Sequence, residues 1–336
     1  MTGRERIRSA IQFQPTDRSP VAPLLGAHAV AQAGIEPARA CEDPVVQTEA
    51  LLRAADIYQP DGIFTLMDLS AEPEALGAGT KTEAGRHPVI VRHLKDRELA
   101  SEPLEQRILT GRVPVFLETV IGLRKTLGDS VLVGALMSGP LTAVSNAVGI
   151  EALSRMLRRR REELSLLVER MSVACIALQH QYRDAGADAV ALLEPVATTS
   201  ILGPRDFETL LLPWIREITN AAQNDELISI LHVCGDCTPS LALFARSSAH
   251  VLSLDSAVDL PKAQRKIGQE IALMGNLDVR HLLPKGSAQD VGTAARELVS
   301  QMGEGFILST GCELPADTPQ ANVAALIGGA RSELCL

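Results

Sequence analysis

Eight short apolar runs, separated by helical segments, constrain the fold of this chain more than any other feature. The runs cover residues 21–25, 61–68, 131–137, 188–194, 228–234, 251–255, 271–276 and 306–312. They are almost continuously apolar, as parallel strands buried on both faces usually are. Helices are predicted at residues 43–57, 151–184, 204–220, 240–247, 260–267, 288–302 and 319–333. Eight strand–helix units in one α/β chain of 336 residues predict a (β/α)8 TIM barrel, a single domain over residues 1–336 with a helical N-terminal extension.

The second and third predicted strands are separated by a long segment, residues 69–130, which we interpret as an insertion into the barrel. Within it, residues 81–94 have the pattern of a β-hairpin and residues 113–127 that of a helix. A doubly wound sheet is the main alternative to a barrel. No G-x-G-x-x-G sequence opens a helix after the first strand, so the dinucleotide-binding version of that fold is not supported.

Charge and cysteine content argue against several classes of protein. The formal net charge of −9 disfavours a nucleic-acid partner. The longest uncharged run, residues 131–150, has the length of a membrane span, but Gly139 and Pro140 interrupt it. We therefore predict a buried strand, a turn and a helix start there, and no membrane partner. The first residues lack an apolar signal core. The six scattered cysteines do not resemble a disulfide framework, which indicates a reducing, cytoplasmic location.

Reactive residue types occur where the predicted strands end. In a (β/α)8 barrel the carboxyl ends of the strands meet on one rim, where the active site lies. The sequence places the following residues there: Asp68, Glu194, His232, Cys234, Asp255, Asn276 and Cys312. A carboxylate at the end of one strand is often only a helix cap. The convergence of so many polar residues on one rim predicts the functional site.

The stretch LHVCGDC, residues 231–237, holds the densest set of such residues. His232 and Cys234 are two apart in a strand, so their side chains point to the same side and can reach one zinc ion. Cys312, at the end of another strand, is the best candidate for a third ligand, and three ligands leave a fourth position open, as in catalytic sites. By spacing alone, buried cysteines beside a core histidine are equally favoured. Cys234 and Cys237 as a redox pair are a third interpretation.

Beyond these patterns, the sequence resembles the uroporphyrinogen decarboxylase superfamily, and within it the cobamide-dependent methyltransferase branch, typified by methylcobamide:coenzyme M methyltransferase. The resemblance covers nearly the whole chain and is carried by residues 4–23, 61–77, 137–144, 231–236, 273–278 and 309–326. It implies a (β/α)8 barrel, with Zn²⁺ bound by His232, Cys234 and Cys312 as the catalytic residues. It further implies transfer of a methyl group from a methylcobamide to a thiol, such as coenzyme M, that the zinc activates.

Several carboxylates and an amide are assigned secondary roles at this site. Asp255 is expected to fill the fourth zinc position in the absence of substrate or to orient His232. Asp68 and Glu194 are expected to line the mouth, and Asn276 to bind a polar group of the substrate. Helix capping and loop contacts explain each of these residues equally well. Glu313 is expected to point away from Cys312, and Cys237 lies outside the metal triad.

Other expectations concern substrates and partners. Arg86 and Arg205 are the candidates to bind a sulfonate. The methylated corrinoid is either free or bound to a small corrinoid carrier protein, and a homo-oligomer is compatible with the sequence. A porphyrinogen decarboxylase is the first alternative function, although residues 24–28 lack the arginine that such enzymes carry after the first strand. Methyl transfer to tetrahydrofolate and non-catalytic binding of a corrinoid or thiol are the others.

Overall fold

A parallel sheet of seven strands forms the centre of the molecule. The computed structural model describes residues 1–83, 85–100, 103–224 and 226–331. The strands are β1 (Gly62–Phe64), β2 (Gly79–Lys81), β3 (Val89–Arg92), β4 (Leu132–Ser138), β5 (Ala189–Leu193), β6 (Ile228–Val233), β7 (Val251–Leu254), β8 (Ala272–Leu277) and β9 (Phe306–Thr310). The sheet order is β1-β4-β5-β6-β7-β8-β9, so strands adjacent in the sheet follow one another along the chain, apart from the separate hairpin β2-β3. This α/β arrangement resembles a TIM barrel.

Helices follow nearly every strand of this sheet. They are α1 (Gly3–Ile11), α2 (Gly26–Gln32), α3 (Pro37–Glu42), α4 (Pro44–Tyr58), α5 (Ala71–Ala75), α6 (Asp96–Ala100), α7 (Leu104–Arg107), α8 (Val113–Leu127), α9 (Pro140–Val148), α10 (Ile150–Arg159), α11 (Arg161–Asp184), α12 (Pro204–Asp206), α13 (Leu212–Asn224), α14 (Leu241–Ala245), α15 (Leu260–Ile267), α16 (Leu282–Lys285), α17 (Ala288–Gln301) and α18 (Gln320–Gly329). A π-helical turn, Phe207–Leu211, joins α12 to α13, and 3₁₀ turns occupy Pro195–Ala197 and Thr238–Ser240.

Burial on both faces explains the apolar composition of the strands. Along β4 the side chains alternate between two clusters: Leu132 and Leu136 pack with residues drawn mainly from other strands, while Val133 and Met137 pack with the surrounding helices. All seven residues of β4 are buried. Strands with two covered faces need apolar side chains at nearly every position, which is why they could be predicted from the sequence.

The prediction of a strand at residues 21–25 is largely wrong, because these residues do not form a continuous strand. Only Val21 forms a β-bridge, which is parallel to Leu308 of β9. On its other side, the Val21 carbonyl accepts a hydrogen bond of 2.8 Å from the amide of Asp61, the residue before β1. Pro20 and Pro23 have no amide hydrogen to donate, so a longer ladder cannot form here. The segment nevertheless lies between the two edge strands of the sheet.

Two other element boundaries differ from the predictions. The second predicted strand, 61–68, ends at Phe64, because the amide of Leu66 donates to the Gln47 side chain (3.2 Å) instead of to a neighbouring strand. The predicted helix 151–184 is two helices, α10 and α11, separated at Arg160, whose φ of −141° is not helical. Arginines at 158 and 161 would lie on one helical face and repel each other. The end of the predicted helix 319–333 and Cys335 lie outside the described residues.

Residues 65–131 contain the predicted hairpin and helix. β2 and β3 pair antiparallel, so a hairpin forms, but it begins at Gly79 and not at the predicted residue 81. The helix predicted at residues 113–127 is confirmed as α8. The uncharged run 131–150 forms β4 and α9 with Pro140 at the first position of the helix, as expected. Within the described ranges, no helix has the length and apolar character required to cross a membrane.

A buried carboxylate joins the N-terminal ends of the sheet. The carboxylate of Asp61, whose side chain is 2% exposed, pairs with Arg6 of α1 and with Arg18, at 2.7 Å from Nη1 of Arg18. It also accepts a 2.8 Å hydrogen bond from the amide of Val21. Asp61 therefore connects α1, the segment at Val21 and the start of β1 at the end of the sheet opposite the candidate site.

Candidate metal centre

Three side chains that could bind a metal ion meet at the carboxyl end of the sheet. His232 is in β6, Cys234 follows that strand, and Cys312 follows β9. Nε2 of His232 lies 3.1 Å from Sγ of Cys234, which lies 3.4 Å from Sγ of Cys312. One ligand atom from each residue lies within 4.8 Å of the others, and this group could hold a metal ion.

The curvature of the sheet makes this contact between distant strands possible. β7 and β8 lie between β6 and β9 in the sheet order. Neighbouring strands are about 4.8 Å apart, so a flat sheet would separate β6 from β9 by roughly 14 Å. The sulfur atoms that follow these strands are instead 3.4 Å apart. The sheet therefore curls around the point at which the three side chains meet.

A serine fixes the orientation of the imidazole. Nδ1 of His232 lies 2.9 Å from Oγ of Ser253, and the ring is buried. This contact leaves Nε2 facing the two sulfur atoms, which is the arrangement expected of a histidine that binds a metal through Nε2. The expectation that Asp255 orients His232 is wrong, because Ser253 does so. Strand register provided the missed signal: Ser253 of β7 pairs directly with His232 of β6.

The two thiols differ in their affinity for protons. The hydrogen bond from Cys234 lowers the pKa of Cys312, and a further bond from His232 acts in the same direction. The bond to Cys312, together with burial, raises the pKa of Cys234 above its usual range. The contact between the two sulfur atoms thus favours the thiolate at Cys312 and the thiol at Cys234. A thiophilic cation binds cysteines as thiolates, so its binding here would release protons.

Asp255 lies beside the triad without belonging to the group of ligand atoms. Its Oδ2 accepts a 2.9 Å hydrogen bond from the amide of Gly235, the residue after Cys234. Its Oδ1 accepts from the amide of Ala257 at 2.9 Å and from Nη2 of Arg280 at 3.2 Å. Asp255 thus supports the loop that carries Cys234.

Glu194 caps a helix from within the core. Its Oε1 accepts from the amide of Leu141 at 3.0 Å, and its Oε2 accepts from the amide and the hydroxyl of Thr142 at 3.1 and 2.7 Å. These donors belong to the first turn of α9, where a carboxylate is favoured. Burial raises the pKa of Glu194 to about 7. The polar atoms of this residue therefore serve α9.

Asn276 and Asp68 also use their polar atoms on the scaffold. Nδ2 of Asn276 donates to the carbonyls of Asp255 (2.9 Å) and Val258 (2.6 Å). Oδ1 of Asp68 accepts from the amide and hydroxyl of Ser70 at 2.9 and 2.6 Å, and Oδ2 pairs with Arg112. Both residues hold loops at the same end of the sheet as the triad.

Glu313, the residue after Cys312, holds its carboxyl against the loop after β1 and the start of α2. Its Oε1 accepts from the amides of Met67 (3.1 Å) and Ala27 (3.2 Å), so the side chain crosses to the opposite edge of the site. Burial raises the pKa of Glu313 to about 8, and the charge of Cys312 acts in the same direction. Room for this carboxyl depends on Gly26, where a Cβ would lie 2.0 Å from Oε1.

Cys237 does not have the properties of a redox thiol. Its side chain is fully buried, and burial raises its pKa to about 12. Reactive pairs of the Cys-x-x-Cys type instead carry a thiol of lowered pKa at a helix N-terminus. Cys237 is followed by a 3₁₀ turn, Thr238–Ser240. The redox interpretation of Cys234 and Cys237 therefore has no structural support.

The two arginines predicted to bind a sulfonate are both exposed. The contacts observed for Arg86 and Arg205 in the described chain are local backbone hydrogen bonds, to Glu83 and from Thr209. Neither arginine contacts the triad.

The chain is similar to known proteins over nearly its whole length. A sequence model of the family described as uroporphyrinogen decarboxylase (URO-D) matches residues 2–332. Methylcobamide:CoM methyltransferase MtbA of Methanosarcina mazei is 26% identical over 336 residues, which cover 98% of each chain. Uroporphyrinogen decarboxylase of Nostoc punctiforme is 28% identical over 295 residues, or 84% of this chain and 81% of that relative. A solved structure described as a methyltransferase from Methanosarcina mazei matches with a TM-score of 0.92 at 23% identity, covering 98% of both chains, and has the same fold.

Proposed function

Because the chain belongs to the uroporphyrinogen decarboxylase family, we propose that it is the corrinoid-dependent methyltransferase which its full-length similarity to methylcobamide:CoM methyltransferases suggests. The methyl donor is a methylated corrinoid, and the acceptor is a thiol such as coenzyme M. The observation that carries the proposal is the close approach of His232, Cys234 and Cys312 at the mouth of the sheet.

His232, Cys234 and Cys312 are the residues that would hold Zn²⁺. One neutral imidazole and two thiolates are a donor set that zinc prefers, and three protein ligands leave room for an acceptor. A zinc ion bound there would lower the pKa of the acceptor thiol, so that it is present as the nucleophilic thiolate. Ser253 holds the imidazole, and the loop after β6, tied to Asp255, holds Cys234.

The reaction balances without any further reagent. The acceptor thiol gives up its proton, its sulfur forms a bond to the methyl carbon, and the cobalt–carbon bond breaks. The pair of electrons of that bond stays on cobalt. The chain contributes by positioning the sulfur, since the two cysteines are only half-buried and so face the side from which a corrinoid can approach.

We also propose roles for the remaining rim residues. Asp68, Glu194 and Asn276 support the site by holding its loops and the start of α9, whereas Asp255 acts at the site through Arg280.

We further propose that the fold is a single (β/α)8 barrel in which the segment at Val21 takes the place of the first strand and residues 69–130 form the insertion. In support of this, Val21 forms hydrogen bonds on both sides, toward β9 and toward the residue before β1.

Two expectations about the surroundings follow from the same chemistry. The five cysteines in the described residues are free thiols, and the proposed site needs its two in the reduced state. We therefore propose that the protein works in a reducing compartment such as the cytoplasm. The corrinoid is either free or bound to a small carrier protein. In both cases the face of the corrinoid has to reach the open side of the triad.

Metal analysis combined with a methylcobalamin assay tests this function. We expect roughly one zinc per chain and methylation of a thiol by methylcobalamin. Cys312→Ala should lose most of the zinc and the transfer, whereas Cys237→Ser, at a cysteine outside the triad, should keep both. Full transfer activity after complete removal of metal would contradict the proposal.

A porphyrinogen decarboxylase is the second candidate, favoured by the family description and by the Nostoc punctiforme relative. Decarboxylation in this family would not require the two thiols, so that activity should survive Cys312→Ala. Decarboxylation of a porphyrinogen by the metal-free protein, without methyl transfer, would establish this alternative.

A further inference from the structure

Arg280 is a cation held at one edge of the candidate metal centre. It lies in the turn after β8, where the carboxylate of Asp278 accepts a hydrogen bond of 2.7 Å from its amide. Its Nη2 is 3.2 Å from Oδ1 of Asp255, and Oδ2 of the same carboxylate accepts from the amide of Gly235 at 2.9 Å. A continuous chain of polar contacts therefore links the guanidinium to the residue after Cys234.

The guanidinium of Arg280 still has donors to offer. Its side chain is 61% exposed, while that of Asp255 is 10% exposed. Among the described residues, Asp255 is the side chain that the Arg280 guanidinium contacts. An arginine has five N–H donors in a planar fork that suits carboxylates and sulfonates, so most of the fork points into solvent at the mouth.

Arg112, a second guanidinium near this rim, is already neutralised. It donates to the carboxylate of Glu74 (2.8 Å) and to the hydroxyl of Ser70 (2.8 Å), and it pairs with Asp68. Its side chain is 11% exposed. An anionic ligand would have to displace two carboxylates to reach Arg112, whereas it can reach Arg280 without displacing any.

The polar contacts around the triad also give the site a direction. Arg280 lies on the side of Cys234, because the carboxylate of Asp255 that it contacts also accepts from the amide of Gly235. The carboxyl of Glu313, the residue after Cys312, is taken up by the amides of Met67 and Ala27. An acceptor whose sulfur is at the open position therefore has a favourable place for a negative group on the Arg280 side.

We propose that Arg280 binds the anionic group of the acceptor thiol, whether that group is a sulfonate or a carboxylate. Asp255 acts as the positioning residue that holds the guanidinium over the mouth. This inference rests on the proposed function and assigns the specificity of its acceptor side. It replaces Arg86 and Arg205 as the candidates for this contact.

The test compares thiols of similar length that differ in charge. Methyl transfer from methylcobalamin is measured with 2-mercaptoethanesulfonate, 3-mercaptopropionate and the neutral 2-mercaptoethanol. Arg280→Gln should lower the ratio of kcat/KM for the anionic thiols to that for the neutral thiol by about 10- to 100-fold, the usual effect of one charge-assisted hydrogen bond. Arg280→Lys should retain part of the selectivity. A larger loss for one anion than for the other tells whether sulfonate or carboxylate is preferred.

Matched variants and zinc content separate this role from a structural one. Arg86→Gln and Arg205→Gln remove an exposed guanidinium elsewhere and should leave the ratio unchanged. A ratio in Arg280→Gln equal to that of the wild type, or equal losses for charged and neutral thiols, would overturn the inference and leave the proposed function intact. A wild-type protein that contains zinc but methylates none of the three thiols would overturn the proposed function itself, and this inference with it.

Discussion

Ser253 shows how one side chain outside the proposed ligand set fixes the orientation of a residue within it. Its hydroxyl occupies Nδ1 of His232 and so presents Nε2 to the two thiols. The close approach of His232 and Cys234 could be predicted from strand periodicity, because residues two apart share a face. The role of Ser253 could not, because it depends on which residue of β7 lies beside His232, and that register is set by packing between strands.

We predict that Ser253→Ala lowers zinc affinity by about 10- to 100-fold, the usual cost of losing a hydrogen bond that orients a ligand. Competition with a chromogenic chelator measures this change. Ser229→Ala is a matched control, since the Ser229 hydroxyl lies 3.0 Å from Nδ1 of His250, a histidine outside the triad. Equal zinc affinities for wild type and Ser253→Ala would mean that the hydroxyl does not orient the ligand.

At the scale of elements, the site depends on how strand ends meet helix starts. Glu194, after β5, accepts hydrogen bonds from the first turn of α9, which follows the neighbouring strand β4. The position of Glu194 on the rim could be predicted, because a carboxylate directly after an apolar run marks the end of a buried strand. Its capping role depends on the close approach of Gly139, where a Cβ would lie 2.3 Å from the Glu194 carboxyl. Such an approach of a backbone to a side chain is not visible in either run alone.

Burial of Glu194 predicts a dependence of stability on pH. Its pKa is raised from the ordinary value of 4.5 to about 7, so the folded state keeps a proton that the unfolded state releases. The free energy of unfolding should therefore fall as pH rises from 4.5 to 7 and level off above that range. We expect this loss, up to about 3 kcal/mol for one such group, to be absent in Glu194→Gln.

Urea unfolding at pH 5 and pH 7.5 measures the effect. Glu194→Gln is expected to be less stable overall, because an amide nitrogen cannot accept a hydrogen bond, yet it should depend less on pH than the wild type. Glu217→Gln, at an exposed position of α13, is the control and should follow the wild-type dependence. Parallel pH profiles for Glu194→Gln and the wild type would show that Glu194 is ionised in the folded protein.

For the molecule as a whole, Asp61 joins the beginning of the chain to the sheet. It connects Arg6, Arg18 and the amide of Val21, and Val21 in turn contacts β9. The alternation of strands and helices was enough to predict a TIM-barrel-like fold. It was not enough to predict how the edge strands β1 and β9 are joined. Between them, the β-bridge of Val21 and the buried ion pairs of Asp61 take the place of a full strand.

We predict that Asp61→Asn lowers the free energy of unfolding by about 3–5 kcal/mol, because it leaves Arg18 without its counter-charge and removes one of the two carboxylates that pair with the buried Arg6. Denaturant titration followed by circular dichroism measures the change. Asp129→Asn is the control: its carboxylate also pairs with an arginine, Arg4, but its side chain is 83% exposed, so a change within 1 kcal/mol is expected. Similar losses in both variants would mean that the buried carboxylate of Asp61 contributes no more to stability than the exposed carboxylate of Asp129.

The meeting of β9 with both Val21 and the triad has a consequence for biosynthesis. Cys312 and the bridge partner Leu308 are translated after the strands β1 to β8. A nascent chain that has already produced His232 and Cys234 still lacks the second sulfur, and Val21 still lacks its bridge partner, Leu308. Synthesis of β9 and the residues after it therefore supplies both Leu308 and Cys312. On the proposed function, a metal ion can be bound by all three ligands only after this last strand has been made.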